Sequence, residues 1–432
     1  MERKYKESGI EWIGKIPEEW NVMQLRRIMR NRSERNQPNA MVLSLYRDLG
    51  IIPKDSRDDN HNVTSENTAN YKAVSKGNFV INKMKAWQGS MAVSEYDGIV
   101  SPAYYVCTFT RNVYKRYIHY LLRDASYKPE YLRLSTGMRI GQWDLSIDDF
   151  LRIKAVLPSI TEQKCIADYL DEKCGEIDSL IGLQEQMIEK LKAYKQSVIT
   201  EAVTKGLNPN AKLVPSGIDW IGEIHEGWEI NKLFNLCSIK GRVGWKGLKS
   251  DEFKEDSYAY LVTGQDFVSS DINWKNCYQI DKNRYDEDPF IQLSNGDILV
   301  TKDGTIGKIA KVRGMDKPAC LNSGIFVLKQ RKEAFFQNYL YWYLSSPLLL
   351  QYNTFINSGG TTIIHLYQNV FERFSMIVPP MEEQMAIATY LDEKCADIDR
   401  LIALKQQKID TLKEYKKSLI YETVTGKIEL TA

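Results

Sequence analysis

Two long stretches of the chain carry hydrophobic residues at alternating steps of three and four, which is the pattern of a helix in a coiled coil. The stretches lie within residues 158–204 and 379–425. A helix of about 40 residues would be roughly 60 Å long at ~1.5 Å per residue. The residues predicted to pack along the seam are Ile166, Leu170, Ile177, Leu180, Met187, Leu191 and Tyr194 in the first stretch, and Ile387, Leu391, Ile398, Leu401, Leu412 and Tyr415 in the second.

The second stretch repeats the first. Aligned without a gap at an offset of 221, the 47 positions share 27 identities. Pro158 and Pro379 open the two copies, in the place where proline is compatible with a helix start. A narrow apolar stripe of this length is buried best against another long helix. We therefore expect the two copies to pair in antiparallel orientation. The alternative is two separate helices, each lying on its own domain.

A shorter repeat precedes each half of the chain. Residues 8–20 (SGIEWIGKIPEEW) match residues 216–228 (SGIDWIGEIHEGW) at an offset of 208. The divergent segments 21–157 and 229–378 follow these repeats, and their patterns predict short buried strands, an aromatic-rich helix and a final strand leading into the long helix. Because the same order of parts occurs twice and then stops, the C-terminal tail should lie near the N-terminal short repeat.

These patterns predict an α+β fold, in which two globular α/β heads are separated by two long antiparallel helices that form a coiled coil, with a pseudo-two-fold internal duplication. The predicted elements of the heads are strands within Gly77–Lys83, Met91–Ser94, Tyr104–Phe109, Arg152–Leu157, Gly296–Lys302, Lys308–Val312, Gly324–Leu328 and Phe374–Val378, and helices at Tyr114–Leu122 and Gln337–Leu344. The predicted division is a first head at 1–157 with its short repeat at 4–20, a first helix at 158–204, a linker with the second short repeat at 205–228, a second head at 229–378, a second helix at 379–425 and a tail at 426–432.

Composition is that of an ordinary globular protein. Hydrophobic residues make up 43% of the chain and charged residues 26%, which are usual values. No run of 18 apolar residues indicates a membrane span, and the N-terminus lacks the apolar core of a secretory signal, so we expect a cytoplasmic protein. The seven cysteines form no C-x-x-C pair and the four histidines lie far apart, so no metal site is expected. With a net charge of +2, any surface for nucleic acid must be a local concentration of charge.

Short catalytic motifs are missing from the sequence. It contains neither the N-P-P-[FY] tetrapeptide of methyltransferases nor a G-x-x-x-x-G-K-[ST] phosphate loop. Asp171-Glu-Lys173 and Asp392-Glu-Lys394 resemble part of a nuclease signature. Both lie on the predicted long helices, where we interpret them as solvated helix faces. We therefore predict no catalytic residues, no metal and no cofactor in this chain.

The repeated motifs resemble a known family. Each long helix begins with P-x-x-x-E-Q-x-x-I-A-x-Y-L-D-E-K, and each head follows S-G-I-x-W-I-G-x-I. Both motifs, and the arrangement of two variable heads with two repeated helices, resemble the DNA specificity (S) subunit of type I restriction–modification systems. The resemblance covers essentially the whole chain in both of its halves.

This resemblance implies a non-catalytic subunit in the cytoplasm of a bacterium or archaeon. Each head would be a target recognition domain that reads one half of a split, asymmetric site on double-stranded DNA. The helices would set the separation of the half-sites and bind two methylation (M) subunits, through which restriction (R) subunits join. S-adenosylmethionine for adenine methylation and ATP for restriction would be bound by these partner subunits.

Candidate DNA contacts lie after the first buried strand of each head, in the loop before each long helix, and in basic stretches near the start of each head. Lysine can neutralise phosphates, glutamine and threonine can read base edges in the major groove, and arginine pairs with guanine. The predicted DNA-binding residues are Arg26, Arg27, Lys83, Lys85, Trp87, Gln88, Arg139 and Gln142 in the first head, and Arg242, Lys246, Lys302, Thr305, Lys308, Thr361 and Thr362 in the second.

Two other functions compete with DNA specificity. The chain could be a structural adaptor whose coiled coil spaces two protein-binding heads, or a self-contained nuclease or methyltransferase. The missing motifs speak against an enzyme. Divergent heads beside nearly identical helices favour two different readers attached to one kind of partner, which is the arrangement of a specificity subunit.

Overall fold

The structure, a computed structural model, describes residues 3–35, 37, 40–47, 49–56, 68–139, 142–243, 247–331, 335–356 and 365–430. The chain divides into two compact units, one of residues 1–185 with 406–432 and the other of residues 186–405. Each unit contains one head and a part of both long helices. Among the described residues, none of the helices has both the length and the apolar character that crossing a membrane requires.

The first unit contains the elements of the first head. Its strands are β1 (Tyr5–Glu7), β2 (Lys15–Pro17), β3 (Asn21–Gln24), β4 (Met29–Arg32), β5 (Leu43–Tyr46), β6 (Gly50–Pro53), β7 (Lys72–Val74), β8 (Phe79–Asn82), β9 (Met91–Val93), β10 (Gly98–Val100), β11 (Tyr104–Phe109), β12 (Ser135–Arg139), β13 (Gln142–Leu145) and β14 (Lys154–Leu157). Its helices are α1 (Lys115–Arg123), α2 (Lys128–Leu134), α3 (Ile147–Arg152) and the start of α4 (Ile160–Lys205).

The second unit follows a related plan. Its strands are β15 (Leu213–Pro215), β16 (Glu223–His225), β17 (Glu229–Lys232), β18 (Cys237–Gly241), β19 (Ala259–Val262), β20 (Phe267–Val268), β21 (Asp271–Ile272), β22 (Tyr278–Ile280), β23 (Ile298–Thr301), β24 (Ile309–Lys311), β25 (Ala319–Leu321), β26 (Ile325–Gln330) and β27 (Ser375–Val378). Its helices are α5 (Leu233–Leu236), α6 (Lys282–Asp286), α7 (Gln337–Ser345), α8 (Leu348–Ile356), α9 (Gln368–Phe371) and the start of α10 (Met381–Val424).

Both heads are built on a four-stranded antiparallel sheet with the same strand order. The order is β4-β11-β8-β9 in the first head and β18-β26-β23-β24 in the second. The register is also the same, since Asn82 lies opposite Tyr104 in the first sheet and Thr301 lies opposite Ile325 in the second. The second head adds the sheet β22-β19-β25, in which β19 and β25 run parallel. The strands and head helices predicted from the sequence are confirmed within one or two residues at most ends.

The two long helices are antiparallel, as predicted. In the first unit, Nζ of Lys416 on α10 lies 2.7 Å from Asp178 on α4. In the second unit, Nζ of Lys195 on α4 lies 2.6 Å from Asp399 on α10. The C-terminal part of each helix therefore lies beside the N-terminal part of the other. The two ion pairs are repeat-equivalent, so each unit contains the same contact with the roles of the helices exchanged.

The structure corrects the phase of the predicted seam. Leu180, Met187 and Tyr194 are 46–50% exposed, and Leu401 and Tyr415 are exposed as well. The other predicted seam residues are buried, except that Leu191 is half-buried. The residues buried in place of the exposed ones are Cys174, Ile181 and Ile188 in α4, and Cys395 and Ile409 in α10.

The error in phase has a physical reason. From Leu170, the buried positions step by four and then three, whereas the prediction stepped by three and then four. One residue of shift turns a side chain by about 100° around the helix axis. The seam contains the half-buried polar residues Gln184 and Lys195, while apolar residues form a second stripe beside it. The sequence pattern therefore favoured the wrong face at five of the thirteen predicted seam positions.

The short repeats attach to the starts of the long helices. The indole N–H of Trp20 donates to Glu162 at 3.0 Å, and that of Trp228 donates to Glu383 at 3.2 Å. Trp20 is completely buried and Trp228 is 7% exposed. The Glu of the E-Q motif thus satisfies a buried indole donor in each unit, which explains why tryptophan and glutamate recur together.

The Asp-Glu-Lys motifs also have a structural role. Asp171 is exposed, but it accepts hydrogen bonds from the Tyr120 hydroxyl at 2.6 Å and from Nε of Arg116 at 2.7 Å. Asp392 accepts one from Nε1 of Trp342 at 2.9 Å. Both aspartates lie on exposed helix faces, as interpreted from the sequence, and each one also ties the helix of its head to the long helix.

The C-terminal tail lies against the N-terminal short repeat, as predicted. The Tyr5 hydroxyl donates to the carbonyl of Gly426 at 3.2 Å. Gly426 has a φ of +76°, and a Cβ added there would lie 2.5 Å from Cδ of Pro17. In the second unit, Gly206 at the end of α4 packs in the same way on the ring of Trp228. Each short repeat thus receives the end of a long helix.

Candidate nucleic-acid interface

In the first head, two segments that were predicted separately lie side by side. The loop after β8 meets the hairpin β12–β13, where Nζ of Lys83 lies 3.6 Å from Asp144. The rings of Trp87 and Trp143 have centroids 5.2 Å apart in an edge-to-face arrangement. The backbone N–H of Leu145 also donates to the carbonyl of Lys83 at 3.1 Å. The structure therefore gathers these candidate contacts into one surface at the end of β8.

The remaining candidates of this surface lie on the same two segments. Lys85 is exposed and Gln88 is half-buried. Arg139 and Gln142 lie opposite each other where the hairpin turns, and their side chains lie outside the part of the chain that the structure describes. All four positions stay predictions as DNA contacts.

Lys72 belongs to the same end of the sheet, although the sequence did not single it out. Its ammonium group donates to the carbonyl of Tyr104 and lies 5.2 Å from the centre of the Tyr105 ring. Burial lowers the pKa of Lys72, and the positive charges of Arg35 and Lys83 lower that pKa further. Lys72 is itself buried, so the positive charges of Arg35 and Lys83 act on an ammonium group that lies beneath the surface of this end of the sheet. A lysine at the start of a buried strand gave no signal of this in the sequence.

Arg26 and Arg27 lie elsewhere. They are exposed and follow β3, next to the start of β4. Met29 in β4 pairs with Phe109, at the opposite end of β11 from Tyr104. The structure therefore does not bring this basic pair to the surface formed by the loop after β8.

In the second head, the predicted residues Thr305 and Lys308 line a pocket of about 540 Å³. The pocket lies where β19, β23 and β25 end and β26 begins, so several loops meet there. Other lining side chains come from Phe253, Gln265, Tyr278 and Asn322. The pocket combines amide, hydroxyl and ammonium groups with two aromatic rings and with the carboxylate of Asp303, which contacts the ring of His365.

Hydrogen bonds fix the loops around this pocket. Because β19 and β25 are parallel, the residues after them emerge at the same edge of the sheet, and Asn322 N–H donates to Val262 O at 2.9 Å. Asp266 accepts from the backbone N–H and the hydroxyl of Thr263 at 2.7 and 2.9 Å. The Thr301 hydroxyl donates to Thr305 O at 2.5 Å and accepts from the N–H of Lys308 at 3.0 Å. The pocket is therefore largely pre-formed.

Lys302 resembles Lys72 in the aromatic ring that its ammonium group approaches. Its Nζ lies 5.0 Å from the centre of the Phe326 ring. Phe326 pairs with Val300 in the second sheet just as Tyr105 pairs with Ile81 in the first. Each head therefore places a lysine ammonium group over the same aromatic position, but Lys72 begins β7 whereas Lys302 follows β23.

The structure contradicts one predicted DNA contact. Arg242 is 2% exposed, and its Nε donates to the carbonyl of Leu321 at 2.9 Å. Its Nη2 lies 3.4 Å from Sγ of Cys320. These contacts place the Arg242 guanidinium in the interior of the second head, where it stabilises the packing. A guanidinium buried in this way cannot reach DNA. The predicted contacts Lys246, Thr361 and Thr362 lie outside the described residues.

Within the described ranges, no cluster of three or more histidine, cysteine, aspartate or glutamate residues is arranged to hold a metal ion. The described cysteines are free, and burial raises the pKa of the Cys107, Cys237 and Cys277 thiols to about 12. Thiols with such high pKa values are packing residues rather than nucleophiles.

Comparison with known proteins supports the family resemblance. Residues 225–414 match the family model described as "Type I restriction modification DNA specificity domain". A Methanocaldococcus jannaschii protein named as a type I restriction enzyme MjaX specificity subunit is 25% identical over 99% of this chain and 98% of its own length. The MjaVIII specificity subunit of the same organism is 28% identical over 72% of this chain and 70% of its own length.

The fold is also found in solved structures. One chain, from work on complex assembly and conformational transition of the type I R-M system, matches with a TM-score of 0.71 at 16% identity, covering 96% of this chain and 99% of its own. The HsdS subunit from Thermoanaerobacter tengcongensis matches with a TM-score of 0.52 at 15% identity, covering 96% of this chain and 98% of its own. Residues 225–414 thus match the model of the type I restriction modification DNA specificity domain, in a chain that is similar to specificity subunits over nearly its whole length.

Proposed function

We propose that the chain is a sequence-specific DNA-binding specificity subunit, in which each head reads one half of a bipartite, asymmetric DNA site. The observation that carries this proposal is the pair of equivalent sheets. The two heads share strand order and register, yet different side chains line the same edge of each sheet. Two heads that share a backbone arrangement but present different side chains are suited to two half-sites of different sequence.

We further propose that the chain directs adenine methylation or DNA cleavage without catalysing either reaction. The sequence contains no methyltransferase tetrapeptide and no phosphate loop. S-adenosylmethionine and ATP would accordingly bind to the methylation and restriction subunits, in the cytoplasm. This assignment distinguishes the chain from a self-contained enzyme.

The long helices would bind the methylation subunits. Each unit exposes the same three apolar side chains on its helical part, at positions equivalent in the internal repeat. They are Leu180, Leu183 and Tyr415 in the first unit, and Leu401, Leu404 and Tyr194 in the second, with 46–56% of each side chain exposed. An apolar surface that occurs twice favours two copies of one partner, and restriction subunits would join through these copies.

Single-molecule methylome sequencing of DNA modified by this chain with its methylation partner tests the proposal. We expect a split, asymmetric motif with one methyladenine on each strand, and exchange of one head for another should change only one half of it. A palindromic or continuous motif would contradict two independent readers. No modification by a partner of verified activity would favour the structural adaptor.

A further inference from the structure

In both heads the two central strands face each other with apolar or aromatic residues until the last pair, where each sheet carries a polar residue. In the first head this pair is Asn82 and Tyr104, and in the second it is Thr301 and Ile325. In the second head, the loops around this pair enclose the pocket of about 540 Å³. A polar position at the end of an otherwise apolar strand pair, occupied by different residues in the two heads, points to that end of the sheet as a place where their specificities can differ.

We propose that Gln265 and Asn322 read base edges in the half-site of the second head, and that the pocket they line is where this reading occurs. The proposal rests on the proposed DNA-binding function and assigns it to two residues that the sequence did not single out. Both follow strands that run parallel, Gln265 after β19 and Asn322 after β25. They therefore emerge at one edge of the sheet, beside Thr305 and Lys308.

The chemistry of these two side chains suits base edges. An amide presents a donor and an acceptor together, which matches the N6 and N7 edge of adenine. Gln265 is exposed, and in the described part of the chain no hydrogen bond holds its amide group. The Asn322 oxygen accepts from the N–H of Ser323 at 2.7 Å, which orients the amide and leaves its NH₂ group to donate. Both groups are thus available to a ligand.

The walls of the pocket allow a close approach of DNA. Gly264, Gly304 and Gly324 line it, so the backbone is accessible at three points. Gly304 has a φ of +68°, and a Cβ at Gly264 would lie 3.0 Å from a methyl group of Thr301. Larger residues would be strained at the first position and crowded at the second. The glycines therefore keep open the space that a base edge would enter.

The surrounding groups favour nucleic acid over a small uncharged molecule. Lys308 is exposed and lines the pocket, where it can neutralise a phosphate while the amides contact a base. The rings of Phe253 and Tyr278 lie 5.4 Å apart and form an apolar wall, which suits a thymine methyl group or a sugar. The pocket thus provides one group for each part of a nucleotide.

Selection from a random-sequence duplex DNA library by the full chain, bound to its methylation subunits, tests the proposal. The variants are Gln265→Ala, Asn322→Ala and Gln265→Glu, and Asn283→Ala serves as the matched control because Asn283 is an exposed amide of the same head outside the pocket. We expect each alanine variant to lose preference at one or two base pairs of one half-site by roughly tenfold or more. The other half-site should be unchanged.

Gln265→Glu keeps the shape of the side chain but leaves only acceptors, so its preference should move from a purine edge towards the amino group of cytosine. Unchanged selection by all three variants, or equal losses in both half-sites, would overturn the assignment. Asn283→Ala should select the wild-type sequence, and an effect of the same size in this variant would also overturn it. A wild-type complex that selects no sequence at all would instead refute the proposed function.

Discussion

Glu162 is the residue at which three parts of the first unit meet. Its carboxylate, at the start of α4, accepts from the Trp20 indole of the short repeat and lies 2.5 Å from Nη2 of Arg3 near the N-terminus. Trp20 is completely buried, so its N–H would have no access to water without this partner. In the second unit, Glu383 likewise accepts from the Trp228 indole. One carboxylate therefore couples the short repeat to the long helix.

Replacement of Glu162 by alanine should lower the free energy of unfolding of the first unit by about 1–3 kcal/mol, because it leaves a buried donor unsatisfied. Urea denaturation of the full chain, followed by far-UV circular dichroism, measures this loss. Glu172→Ala is the control. The Glu172 side chain is 67% exposed, and its carboxylate lies no closer than 3.8 Å to Nζ of Lys173. Equal midpoints for both variants would show that the indole hydrogen bond does not stabilise the unit.

The burial of single residues limits how much of the candidate site can be predicted from the sequence. The sequence predicts Lys83, Trp87, Thr305 and Lys308 as contacts because they follow buried strands, and the structure places them at the edges where loops converge. It also predicts Arg242, which belongs to a basic stretch, yet Arg242 is buried. Local sequence gives the charge of an arginine but not the packing around it, which depends on β25, some 80 residues away.

At the scale of elements, the long helices were the most predictable part of the chain and the seam between them the least. A repeat over 47 positions fixed their extent and their pairing. The choice between two neighbouring faces depended on polar seam residues such as Lys195 and Lys416, which reach aspartates on the other helix. Binary patterning cannot identify such positions, because an ion pair lets a lysine occupy a seam. The second apolar face that caused the error is the one proposed to bind the methylation subunits.

A negative charge introduced into the second apolar face of one unit should prevent one methylation subunit from binding. Leu404 is 54% exposed and lies outside the seam, so Leu404→Glu should leave the thermal unfolding of the chain nearly unchanged. We expect the complex with methylation subunits to fall from two copies to one in native mass spectrometry, and Leu183→Glu should act in the same way in the first unit. Gln406→Glu adds the same charge on another side of α10 and should keep both copies. Retention of two copies by Leu404→Glu would exclude this face as the binding surface.

At the scale of the whole molecule, duplication explains most of what the sequence could predict. Several connecting contacts occur twice, among them the tryptophan–glutamate pairs and the ion pairs of the seam lysines. The residues that make repeated contacts can be recognised in a single sequence, because they recur at equivalent positions in both copies. If the two heads read different bases, then their loops must differ. Comparison of one half of the sequence with the other could therefore not locate Gln265, Asn322 or Lys72. The parts that make the heads specific are the parts that a repeat cannot reveal.

If the helices set the distance between half-sites, then their length should appear in the DNA motif. Seven residues inserted after Glu185 in α4 and after Lys405 in α10 preserve the heptad phase and add about 10 Å of helix. At ~3.4 Å per base pair, the unspecified spacer should grow by about three base pairs while both half-sites stay the same. Methylome sequencing of DNA modified by the variant complex measures the spacer directly. Seven residues inserted between Asn208 and Asn210 lengthen the chain outside the helices and should leave the spacer unchanged. A constant spacer in both variants would mean that something other than the coiled coil determines the separation of the half-sites.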